Sequence, residues 1–140
     1  MQNFGKYAIL GPITYHFEFE PEWYWKIQPP NSGIELKMAQ FLQENRHLVR
    51  PDGTRQLLTD IAICHQEIAL LFAGTNIPVD PEKPVDKGGE PVLKVGATIE
   101  EIKAVLLEMP QVMIYEMWVA VAEGNFGWGP TLRKDNAPSQ

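Results

Sequence analysis

Apolar residues in the stretch from Leu57 to Gly74 recur at helical spacing: Leu57, Ile61, Cys64, Ile68 and Leu71 stand four, three, four and three apart. That rhythm puts them on one face of a helix of roughly five turns. Leu58, Ala62, Ala69 and Phe72 widen the stripe. A helix with apolar cover over more than half its circumference has to be buried by the other elements. The spacing predicts a helix over Thr54 to Ala73, closed at Gly74 by a left-handed cap with Pro78 soon after.

A different period governs the N-terminal part. Ile13, Tyr15, Phe17 and Phe19 alternate with Thr14, His16, Glu18 and Glu20, and the alternation resumes in Trp23, Trp25 and Ile27. A period of two is that of half-buried strands, and Glu20-Pro21-Glu22 reads as the turn of a hairpin. Two strands alone are marginal in water, so the hairpin must lie on helices. Ser32 with Glu35 reads as a capping box opening a helix from Ser32 to Asn45, with Ile34, Met38, Phe41 and Leu42 inward. Pro51-Asp52-Gly53 signals a turn before the central helix.

From Thr75 to Gly96 the chain carries four prolines and the pair Gly88-Gly89, and periodicity fades. This 75–96 segment is expected to be an exposed loop, or alternatively two tight turns with a short strand around Val92 to Val95. Thr98 with Glu101 repeats the capping box, predicting a helix from Thr98 to Met109 with Ile99, Ile102, Val105, Leu106 and Met109 inward. Pro110 suits the first turn of a last helix, Pro110 to Glu123, for which Val112, Tyr115, Trp118, Val119 and Ala122 are taken as the buried face. The expected core therefore holds Ile61, Cys64, Ile68, Leu71, Phe72, Met38, Phe41, Ile102, Leu106, Tyr115 and Trp118. The fold class is α+β, mainly α: an N-terminal antiparallel β-hairpin packed on a four-helix domain. Residues 1–132 form a single globular domain, and the polar stretch 133–140 a flexible tail.

A chain of 140 residues can bury a real core, and a 44% hydrophobic, 21% charged composition is that of a soluble globular protein. The N-terminus lacks the basic start and apolar core of a signal peptide, so the expected location is the cytoplasm. A net charge of -6 and scattered basic residues argue against nucleic acid as a partner. No membrane partner is expected either.

Candidate chemistry is sparse. Cys64 lies in the apolar stripe and has no second cysteine to pair with. His16, His47 and His65 show no ligand spacing, and His65 is best placed at the rim of its helix. The pairs Glu18 with Glu20 and Glu100 with Glu101 fall where the pattern predicts water, which leaves nothing to drive their pKa values apart. No nucleophile elbow, phosphate-cradling loop or dinucleotide fingerprint is present. The reading is therefore non-enzymatic, with no catalytic residues, metal or cofactor. Aromatic residues, by contrast, are plentiful, and Trp23, Trp25, Phe126 and Trp128 are those the helical stripes do not require. A protein interface is the expected use of that surplus.

Three segments together resemble the tail assembly chaperones of long-tailed bacteriophages: EWYWKIQPP followed by SGIELKMAQFL, then IALLFAGTNIP, then YEMWVAVAEGNFGWGP. The similarity spans most of positions 14 to 130, while the 75–96 segment has no counterpart in it. The resemblance implies a protein of the host cytoplasm, without catalysis, that coats the tape measure protein and keeps it soluble before the tail tube polymerises. The implied partners are that client, the tail tube protein and further copies of the chain. The alternatives are a phage structural or connector subunit that stays in the virion and, third, a small enzyme.

Overall fold

The computed structural model describes residues 11–45, 57–124 and 128–130, the side chains of 57–60 and 124 apart. The hairpin expected from the alternation is β1 (Ile13–His16) and β2 (Tyr24–Ile27), antiparallel with Tyr15 opposite Trp25. It is followed by α1 (Ser32–Glu44) and the central α2 (Leu57–Leu70). Then come β3 (Phe72–Thr75), α3 (Ile99–Glu108) and α4 (Gln111–Gly124). The fold is α+β and mainly helical, as the patterns imply. The turn at 51–53, the start of the central helix at 54–56 and the tail 133–140 lie outside the described residues, as do His47 and the side chains of Leu57 and Leu58.

The sheet has three strands in the order β1-β2-β3, not two. Leu71 closes the last turn of α2 by donating to the Glu67 carbonyl at 3.1 Å, and its own carbonyl then accepts from Gln28 at 2.8 Å. The chain is thereby captured by β2 within one residue of leaving the helix. Phe72 to Thr75 run antiparallel to β2, with an irregularity between Lys26 and Ile27. Gly74, expected as a helix cap, sits inside this strand at φ 147°, a backbone setting in the positive-φ region that favours glycine. The expected helix end at Ala73 is corrected by three residues. Thr75 Oγ1 donates to the Tyr24 carbonyl at 2.7 Å. The Asn76 side chain accepts from the Tyr24 amide at 2.8 Å and donates to the Glu22 carbonyl at 2.7 Å, so an amide side chain continues the ladder where β3 ends.

α2 is the axis of the molecule. Every residue from Ile63 to Leu71 is buried, because the helix packs on α1, α3 and α4 and runs straight into the sheet. Its burial matches the expectation for Cys64, Ile68 and Leu71, and Met38, Ile102, Leu106 and Trp118 join them in the core. Ile61, Phe41 and Phe72 are only partly buried. The capping box at Thr98 and Glu101 forms with both reciprocal bonds, at 3.1 and 2.8 Å. The one expected at Ser32 does not: Asn31 caps α1 by accepting from the Ile34 amide at 2.9 Å.

The 75–96 segment is more ordered than a plain exposed loop. Val79 donates to the Glu90 carbonyl and Val92 to the Ile77 carbonyl, each at 2.8 Å, bridging Pro78 to Pro91. Both bonds come from residues next to the prolines, which have no N–H to give. Ile77 and Leu93 are buried and anchor the base, a short 3-10 turn covers Val85–Lys87, and the tip from Val79 to Lys83 is exposed.

The phase of α4 differs from the expected one. Met113, Ile114, Met117, Ala120 and Val121 are buried with Trp118, while Val112, Tyr115 and Val119 face solvent. This helix is apolar on most sides, so its own periodicity does not choose a face. The face carrying the long methionine and isoleucine side chains offers more apolar surface to remove from water. Ile114→Val is accordingly expected to lose about 0.5 to 1.5 kcal/mol of stability, and Val112→Ala less than about 0.5. Equal losses in urea titrations of the two variants would reverse this phase.

Candidate functional site

The four aromatics singled out by composition do not form one surface. Trp25 has no exposed area: it sits on the inward side of the middle strand, its ring edge-on to Phe72 with centroids 4.9 Å apart. Trp128 is buried too. Phe126 lies outside the described residues. Of the three described, Trp23 is the one partly exposed, edge-on to Phe19 at 6.0 Å. The premise that Trp25 and Trp128 are surplus to the core does not hold, since a third strand and a docked C-terminal segment supply the surfaces that cover them.

The docking of that segment is the most constructed feature of the molecule. Glu67, on the buried side of α2, is 5% exposed. Its Oε1 accepts from Trp118 Nε1 on α4 at 2.8 Å and from the Gly129 amide at 2.8 Å. Buried carboxylates are costly unless hydrogen-bonded, and here the bonds tie the central helix, the last helix and the chain beyond it to one oxygen atom. Trp128 Nε1 donates to Glu35 Oε1 on α1 at 3.2 Å. Gly129 has φ 99°, and a Cβ there would lie 2.4 Å from that of Ala122. Only glycine lets the backbone approach α4 closely enough to reach Glu67. Glu35, expected in a capping box, serves the tryptophan instead. No sequence signal within α2 marks Glu67 for this role, because its partners lie 51 and 62 residues away.

Trp23 lines a cleft of about 540 Å³ between the hairpin turn and the proline segment, with Glu20, Glu22, Asn76, Pro84 and Asp86 among its walls. Carboxylates beside an indole favour cations over anions. A second acidic seam runs where β1 meets α4. The Tyr15 hydroxyl donates to Glu116 Oε1 at 2.5 Å. Burial, then that hydrogen bond, then the charges of Glu116, Glu18 and Glu123 hold its pKa far above the ordinary tyrosine range.

His65 is buried rather than at the rim. Loss of solvent and then the charge of Lys103 push its pKa down, so the neutral ring is favoured. Cys64, beside it in sequence, is a buried free thiol. Among the described residues no group of three His, Cys, Asp or Glu is arranged to hold a metal ion, and no helix is long and apolar enough to cross a membrane. In comparisons with known proteins, no family model, no curated protein and no solved structure matches this chain.

Proposed function

We propose that the protein is a non-enzymatic tail assembly chaperone of a long-tailed bacteriophage, acting in the host cytoplasm to bind the tape measure protein and keep it soluble during tail morphogenesis. The observation that supports this reading is the combination of an acidic molecule, at -6, with large apolar side chains left outside: Phe19, Leu36, Leu107 and the outer row of α4. Net charge keeps such a protein soluble and its copies apart, while exposed apolar groups give an insoluble client somewhere to rest. The three segments that resemble the chaperone family support the same reading.

Co-expression with the tape measure protein of the same phage tests it. The client is expected in the soluble fraction only when this chain is present, and mass spectrometry of purified virions should find the tape measure protein without it. A client equally insoluble with and without the chain would end the chaperone reading. Stoichiometric presence in virions would favour the structural subunit instead.

A further inference from the structure

The outer face of α4 is apolar, ordered and unused by the fold. Val112, Tyr115 and Val119 are 63%, 48% and 36% exposed, and their spacing of three and four aligns them in one row along about 10 Å of helix. Carboxylates border the row. Glu116 and Glu123 follow its residues on the same side of α4, and Glu18 approaches from the end of β1, its amide 3.5 Å from Glu116 Oε1. That these three charges converge is registered by Tyr15, on whose hydroxyl all of them act. The sequence of α4 contains no Lys, Arg or His. Among the described residues no basic side chain pairs with Glu18, Glu116 or Glu123.

The geometry points to this face as the docking surface for an amphipathic helix of another protein, one whose apolar row is flanked by lysine or arginine. The inference rests on the chaperone reading and specifies its contact. A row at spacings of three and four offers ridges that a second helix can pack between. Its acidic border then selects clients carrying positive charge beside their apolar stripe. A second copy of this chain is the poorer occupant, because a two-fold contact through α4 would bring two copies of the same acidic border together with no basic residue on either α4 to offset them.

The test is titration calorimetry of the full chain with a synthetic helical peptide of about 20 residues, with leucines at helical spacing and lysines on both flanks. A counterpart with glutamate in place of each lysine serves as comparison. The lysine peptide should bind, more weakly as salt rises, and the glutamate peptide at least about tenfold less well. Val112→Ser combined with Val119→Ser should weaken the lysine peptide by about tenfold. Val95→Ser with Val79→Ser, at sites 98% and 66% exposed elsewhere, should leave it unchanged. If the α4 pair shifts the thermal melt, Tyr115→Ser alone decides.

No binding by the lysine peptide, binding unaffected by the α4 substitutions, or equal loss in the control pair would overturn the inference. So would a dimer of the unmodified chain in sedimentation that the α4 pair dissolves, since the occupant would then be a second copy. The co-expression assay separates the two readings. A client rescued equally by the α4 pair and the unmodified chain removes this surface and leaves the chaperone in place. A client that the unmodified chain does not rescue removes the chaperone, and the peptide titration still decides the surface.

Discussion

Replacing Trp25 with alanine should lower the unfolding free energy by about 3 to 5 kcal/mol, the usual cost of emptying a buried indole site. The melting temperature should fall by at least about 10 °C. The indole has no exposed area, packs edge-on against Phe72, and stands in the middle strand of the sheet, which is bonded on both sides. Truncation would leave a cavity between sheet and helices that the short strands are poorly able to collapse around. Trp25→Phe should cost much less: it keeps an aromatic ring against Phe72 and removes an Nε1 that has no hydrogen-bond partner among the described residues. Urea titrations of the two variants check the ranking, and an alanine variant within about 0.5 kcal/mol of the parent would show that this side chain is not in the core.

Glu67→Ala carries the second large effect, a net loss of about 2 to 4 kcal/mol. Two buried donors, Trp118 Nε1 and the Gly129 amide, would lose their acceptor. Each unsatisfied group costs about 1 to 3 kcal/mol, partly offset because the buried carboxylate no longer has to be kept from water. Glu67→Gln keeps an oxygen in place and should recover more than half of the loss. The release should also be visible locally, as red-shifted tryptophan emission when Trp128 leaves its site. An alanine variant with unchanged stability and emission would show that the C-terminal segment is held by packing alone.

How much of this was legible in the sequence depended on how local each determinant is. The alternation through Ile13 to Phe19 and Trp23 to Ile27 predicts β1 and β2, because period two is written in neighbouring residues. Thr98 and Glu101 predict the start of α3 for the same reason. β3 was hidden: Phe72 and Ala73 continue the apolar run of α2, Gly74 reads as its cap, and four residues are too few to show their own period. What makes them a strand is β2, far away in sequence. The face of α4 was unreadable because both faces are apolar. The burial of Trp128 was unreadable because its hydrogen-bond acceptor, Glu35, is 93 residues away. With Trp25 and Trp128 in the core, Trp23 is the one described residue of the expected contact site that reaches the surface, and part of the exposed apolar area lies on Val112, Tyr115 and Val119, which the spacing predicts to be buried.

The sheet also orders events in time. His16 and Pro21 are joined across five residues, so β1 and β2 can meet by closing a short turn. Tyr24 and Asn76 are joined across 52, and β3, which Asn76 directly follows, is covalently continuous with α2. Closing the longer loop has the larger entropic cost, and its return comes only when α1 and α2 are already compact enough to bring the ends together. Addition of β3 is therefore a late step of folding, dependent on the helices. Until it happens, the middle strand of the finished sheet is an open edge with Trp25 uncovered on one side, and the nascent chain is most prone to pair with its neighbours during that interval.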